Sequence, residues 1–361
     1  MSKIRYVAKK DLANVPLSIS QLGLTVLVPV ISPATAKPSI IYEPWEKEKE
    51  FTFAKAFVSP KSTVFPECET LFEYKKRPSP VAPDENWIQL SEKDERRDTV
   101  IFGCRPCDAR GFDALDKPFT QGLFKDPYYA EKRDHIIVIA RTCNTGCETC
   151  FCHWVGGGPT SPIGSDILIT ELEDGFVFQA ITEKGQDLLT RLSMPDGTDK
   201  FPEAEEIRKK AWKSLVPAPD ISGALESLKN IFTDDDFWVS QTDRCISCGA
   251  CTYICPTCYC FNITDEGVPG SPKGGRRLRS WDNCMSSRYT REASGHNPRA
   301  KKFQRMRNRV SHKFWTFPEN WGSYLCSGCG RCITNCPVHL DIRAIVLAAI
   351  EEYRKKKGAD S

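Results

Sequence analysis

Long apolar runs are missing from this 361-residue chain, which nowhere approaches the roughly eighteen uninterrupted apolar residues of a membrane-crossing helix. The opening MSKIRYVAKKDL has basic residues but no apolar core or small-residue cleavage site after it, which argues against an export leader. Nucleotide and haem fingerprints are missing too: no G-x-G-x-x-G opens a helix, no glycine loop ends in Lys-Ser or Lys-Thr, and no Cys-x-x-Cys-His would attach haem. The triplet Gly156-Gly-Gly158 lacks either nucleotide context and reads as close backbone approach. No general acid–base pair stands out. The chain itself is therefore not expected to hold flavin, nicotinamide or haem.

What is abundant is cysteine. Eighteen cysteines occur in a chain that is 40% hydrophobic and 27% charged, the composition of a protein able to bury a core, and its length suggests two domains. Without an export signal the cysteines are expected to be thiols in a reducing cytoplasm, where clustering argues for metal ligation over a disulfide framework. The formal net charge is only +3, yet residues 273–313 hold thirteen Lys and Arg against Asp282 and Glu292. Such a stripe could neutralise nucleic-acid phosphates. No alternation of basic and aromatic residues accompanies it, and its place between two cysteine runs favours electrostatic support of anionic centres.

Those runs are Cys245-x-x-Cys248-x-x-Cys251-x-x-x-Cys255-Pro256 and Cys326-x-x-Cys329-x-x-Cys332-x-x-x-Cys336-Pro337. In this spacing three thiolates hold one 4Fe-4S cluster and the fourth, followed by proline, ligates the other. Cluster one is assigned to Cys245, Cys248, Cys251 and Cys336, and cluster two to Cys326, Cys329, Cys332 and Cys255. Structural zinc also takes four thiolates, but usually from two short Cys-x-x-Cys knuckles.

A third group follows two apolar strand-like runs. Cys104-Arg-Pro-Cys107 comes after Thr99–Phe102, and Cys143, Cys147, Cys150 and Cys152 come after Arg133–Ala140. If the two runs are neighbours in a parallel sheet, both cysteine groups emerge at one edge, where α/β folds place their sites. A third 4Fe-4S cluster on Cys107, Cys143, Cys150 and Cys152 is the first choice. Cys104 or Cys147 could replace a member, and zinc or a redox disulfide is the rival chemistry.

The expected fold is an α/β N-terminal domain (1–240) followed by a mainly helical, ferredoxin-like dicluster domain (241–361) with a basic insert. Runs over 24–31, 38–45 and 51–58 read as short strands, and Asp166–Ile181 reads as a hairpin turning at Glu173-Asp-Gly175. Residues 203–215, 299–314 and 341–357 read as helices.

Phe102-Gly-Cys-Arg-Pro-Cys-Asp108, Asp113-Ala-Leu-Asp116, Cys150-Phe-Cys152, Gly157-Gly-Pro159, Cys255-Pro-Thr-Cys-Tyr-Cys260, Trp281-Asp-Asn-Cys284, His296-Asn-Pro-Arg299 and Cys329-Gly-Arg-Cys332 carry a family resemblance. From about Phe102 onward the chain resembles the iron–sulfur subunits of anaerobic sulfite reductase and the beta subunits of cytoplasmic sulfhydrogenase, with relatives beside heterodisulfide reductases. The resemblance implies an electron-relay subunit that links a catalytic subunit to a flavin-containing, NAD(P)H-oxidising one, and supports the ligand choice in the first domain. The chain departs from that pattern at Cys104 and Cys147.

Cys258, Cys260 and Cys284 are read as buried small hydrophobes beside completed clusters, Cys68 as unpaired, and His296 and His312 as packing or surface histidines. Trp281, Trp315, Trp321 and Tyr324 are read as cluster shielding. The alternative functions are a cluster-bearing reductase acting directly on a small molecule and an iron–sulfur nucleic-acid protein.

Overall fold

The computed structural model describes residues 3–32, 39–47, 49–78, 81, 86–92, 97–268 and 271–359. Its strands are β1 (Ile4–Ala8), β2 (Thr25–Ser32), β3 (Ser39–Pro44), β4 (Cys68–Pro78), β5 (Asn86–Ser91), β6 (Thr99–Cys104), β7 (Ile136–Arg141), β8 (Ile167–Glu171), β9 (Gly175–Ala180), β10 (Phe261–Val268) and β11 (Ser271–Trp281). Its principal helices are α1 (Asn14–Gln21), α2 (Pro106–Thr120), α3 (Pro127–Asp134), α4 (Glu183–Arg191), α5 (Phe201–Lys213), α6 (Ala224–Asn230), α7 (Asp235–Thr242), α8 (Ala250–Tyr253), α9 (Lys302–Ser311), α10 (Phe317–Trp321), α11 (Arg331–Thr334) and α12 (Ile342–Ala359).

The fold class is as expected, sheet-rich at the N-terminal end and helical at the C-terminal end. A seven-stranded sheet has the order β1-β9-β8-β7-β6-β2-β3. Its central strands β2, β6, β7 and β8 are parallel, and β6 and β7 are unbroken apolar runs because helices cover both faces. Alternation divides their side chains: Val100, Phe102 and Ile139 join the core beneath α1 and α4, while Ile101, Val138 and Ala140 face α2 and α3. Parallel pairing of β6 with β7 sends the segments that follow them out at the same edge. β8 and β9 form the expected antiparallel hairpin.

Two local features differ from expectation. Residues 51–58 are irregular rather than a strand. Phe51 and Phe53 pack their rings on Phe102 at 5.5 and 5.9 Å, and Phe53 packs on Phe176 at 5.7 Å, so the apolar side chains cap the sheet instead of entering its ladder. The basic insert begins with a hairpin, β10–β11, which extends β4 and β5 into a four-stranded sheet. This sheet therefore joins β4 and β5, which fall between β3 and β6 in the chain, to a hairpin that follows all seven strands of the larger sheet. Arg279 on β11 is buried against Glu69 of β4 and Asp126 beside α3, tying the small sheet to the large.

The helical region packs α6 on α12 and α7 on α9 around Trp238, Leu228, Val310, Phe314 and Ala349. Between α9 and α10 the chain makes a π-helical turn, His312–Thr316, a widening that often marks a functional position. Among the described residues no helix is long and apolar enough to cross a membrane.

Candidate metal centres

The two cysteine runs fold alike. Ser247 and Gly328 occupy matching positions with φ of 57° and 65°, and Gly249 and Gly330 match at 76° and 74°. These left-handed residues curl each loop so that its amides face inward. Ser247 N donates to Cys245 Sγ at 3.4 Å, and Gly328 N donates to Cys326 Sγ at 3.4 Å. Such bonds stabilise thiolate charge. Each loop runs directly into a one-turn helix, α8 or α11, and the two helices pack together.

Cys245, Cys248, Cys251 and Cys336 all line one small pocket, together with Met285, Met306, Leu340 and Ile342. Leu340 N donates to Cys336 Sγ at 3.2 Å. Among the described residues no three His, Cys, Asp or Glu side chains draw in around a single point as one bound metal ion requires. The four thiols ring the pocket wall, and the residues present fit a four-iron cluster, whose cysteines each meet a different iron.

Cys255, Cys326, Cys329 and Cys332 form the second set. Cys255, Cys326 and Cys329 are buried and Cys332 is half-buried. Burial, with the other thiols nearby, pushes Cys326 up to about 11 and raises Cys332 further. Cys255 is held down, first by a hydrogen bond with the Cys258 thiol and then, against the cost of burial, by Lys313 and Arg309.

In the first domain Cys107 lies on the opening turn of α2 and Cys143 just beyond β7. Burial first, and then nearby charges that include Cys143, raise both Cys107 and Cys152. Cys147 and Cys150 are joined as a disulfide. Cys104 is fully buried in the core with Val64, Phe65, Ile101 and Phe112. Lys55 Nζ lies 3.8 Å from both Cys147 Sγ and Cys150 Sγ and also donates to Cys329 O. Arg105 donates to Cys143 Sγ at 3.6 Å.

This cysteine loop rests on the loop of the second run. Phe151 N donates to Gly328 O at 2.8 Å, and a Cβ on Gly328 would lie 2.4 Å from Cys152 Cα. Thr149 and Thr334 share a hydroxyl hydrogen bond at 2.8 Å. Arg331 grips Asp108 through both carboxylate oxygens, beside Cys107 and Cys329.

The remaining thiols are explained by topology. The β10–β11 hairpin pairs Phe261 with Trp281, so Cys260 and Cys284, just outside its two ends, come into contact. Cys258 Sγ accepts from Arg309 at 3.2 Å, and Cys68 is exposed. His312 Nε2 is 3.1 Å from Tyr259 Oη, and His296 is exposed. Trp281 stacks on Phe65, while Trp315, Trp321 and Tyr324 pack on Phe232, Phe317 and Phe314 respectively. The residues that sequence reasoning missed are charged: Lys55, Lys61 and the Arg331–Asp108 pair, which no cysteine spacing announces.

Residues 244–340 match the family described as 4Fe-4S dicluster domain. The chain is 32% identical over 260 residues to sulfhydrogenase 2 subunit beta of Pyrococcus furiosus, an alignment that covers 70% of this chain and 74% of that protein.

Proposed function

The chain belongs to the family of sulfhydrogenase beta subunits, proteins with a 4Fe-4S dicluster domain, and from that premise we propose that it is the relay subunit of a cytoplasmic multisubunit oxidoreductase, carrying single electrons through three 4Fe-4S clusters. The ligand sets are Cys245, Cys248, Cys251 and Cys336; Cys326, Cys329, Cys332 and Cys255; and Cys107, Cys143, Cys150 and Cys152. The last set requires the Cys147–Cys150 disulfide to be open. When bound, such clusters take up and release one electron at a time.

The observation that carries this reading is the succession of the three sets. Cys107 neighbours Cys329, and Cys332 of the second set also borders the pocket of the first. Three thiols of the middle set are buried and the fourth is half-buried, whereas the outer sets reach the surface through exposed Cys248 at one end and the exposed Cys147 loop at the other. Two outer sets and a shielded middle suit a conductor with separate points of entry and exit. The N-terminal cysteine group supplies one end of that succession and the first ferredoxin run the other.

The partners fitting these ends are a catalytic subunit of the hydrogenase, sulfite reductase or heterodisulfide reductase type and, opposite it, a flavin-containing, NAD(P)H-oxidising subunit. Stopped-flow absorbance tests the assignment. The isolated chain bleaches with dithionite and not with NAD(P)H, and the complex purified by a tag on this chain bleaches with either. Bleaching of the isolated chain by NAD(P)H would overturn it.

A further inference from the structure

Three buried cations gather at the Cys255 side of the second thiol set. Lys61, Arg309 and Lys313 are only 3%, 3% and 2% exposed. Lys313 Nζ lies 3.5 Å from Cys255 Sγ and donates to Thr257 Oγ1 at 2.8 Å, and that hydroxyl is itself 3.4 Å from the same sulfur. Arg309 donates to Cys258 Sγ at 3.2 Å and to Cys251 O at 2.8 Å. Lys61 donates to Cys258 O at 2.9 Å and stands 4.0 Å over the Trp281 ring. Among the described residues none of the three has a carboxylate partner.

Local structure explains how Lys313 comes to point inward. It sits in the π-helical turn His312–Thr316, and its carbonyl accepts from Leu325 N at 3.1 Å, one residue before Cys326. The turn thus clamps the lysine between the end of one cysteine run and the start of the other.

Buried like charges are costly without a counter-charge, and here the neighbouring candidates are sulfurs. The middle position of a relay faces an opposite problem. Reduction adds negative charge, and a site stripped of water resists it. Left alone, the buried middle set would be the hardest to reduce and would block the path between the two outer sets. Lys55 and Arg105 beside the N-terminal set are only half-buried, so water screens them more than it does Lys313.

We propose that Lys313, backed by Arg309, is a positioning residue that offsets burial at the middle cluster and raises its reduction potential. The inference rests on the assignment of Cys255, Cys326, Cys329 and Cys332 as that cluster's ligands. It adds a named cause for electron passage through the shielded centre.

The test is an EPR-monitored redox titration of the anaerobically purified full chain, comparing Lys313→Met, Lys313→Arg and Thr257→Val, with the middle cluster's signal identified by its change in Cys332→Ser. In Lys313→Met the reduced-to-oxidised ratio of that signal at fixed potential falls about tenfold, equivalent to about 59 mV for a one-electron couple. The other signals hold still, and Lys313→Arg restores most of the ratio. Thr257→Val, which keeps the lysine and removes the intervening hydroxyl, lowers the ratio by less and decides the matter if Lys313→Met loses its iron. An unmoved ratio in Lys313→Met or, failing that variant, in Thr257→Val overturns the inference, as does an equal shift of every signal. Absence of any signal sensitive to Cys332→Ser overturns the ligand assignment together with the inference.

Discussion

Arg331 holds Asp108 by two hydrogen bonds of 2.5 and 3.0 Å, with both side chains almost fully excluded from water. Asp108 lies on the first turn of α2 and Arg331 opens α11, so the pair pins the N-terminal cysteine group to the second ferredoxin run. Removing one partner leaves the other charge buried and alone. Arg331→Met is expected to destabilise the protein by about 3–5 kcal/mol, measured by anaerobic urea unfolding. Arg331→Lys recovers only part of this, because lysine does not reproduce the two-pronged grip.

Gly328 is a second contact point between the same elements. Its φ is +65°, and a Cβ there would meet the Cys152 backbone at 2.4 Å, where no flexible side chain can yield. Gly328→Ala is expected to cost on the order of 1–3 kcal/mol from strain alone and to loosen iron retention. Gly267→Ala, at a position with open space and no positive φ, leaves both unfolding and iron content essentially unchanged.

His312 gives a dependence on pH. Burial first, then the charges of Lys313 and Arg309, lower it to about 4 from its usual 6.5. Between those values the unfolded chain binds a proton that the folded chain does not, so stability rises with pH across the window and is lost as pH falls from about 6.5 toward 4. The limiting slope for one proton is about 1.4 kcal/mol per pH unit. Urea unfolding at several pH values in this range, compared with His312→Phe, should show the wild-type slope exceeding that of the variant.

The six N-terminal thiols are expected to separate by role. Cys104 is buried in the core with Val64, Phe65, Ile101 and Phe112, and Cys104→Ala is expected to retain the full iron content. Cys143→Ser, which removes a proposed ligand, loses about four iron per chain. Equal iron loss in the two variants, read by metal analysis, would require a different ligand set.

Much of this architecture was legible where chemistry imposes a spacing or a period. The two ferredoxin runs are visible because each cubane demands closely spaced thiols, and β6 and β7 are visible because strands covered on both faces stay apolar throughout. Their parallel pairing brings the cysteine groups after them to one edge, as expected. The run at 51–58 misled because Phe51 and Phe53 alternate like strand residues while capping a sheet edge. The β10–β11 hairpin was hidden by its glycines and charges, whose strand character depends on pairing with β4. Lys61 and Arg331 could not be distinguished from solvated charges until folding buried them, and the basic stripe ending at Lys313 did not mark which of its cations would be buried beside the thiols.

The measurement that tests the account most directly is the iron, zinc and acid-labile sulfide content of the anaerobically purified chain, with EPR of the reduced form. Three clusters predict about twelve iron and matching sulfide per chain, with three interacting signals. About eight iron with one zinc would contradict that prediction, making the N-terminal cysteines a structural site and leaving a two-cluster conductor.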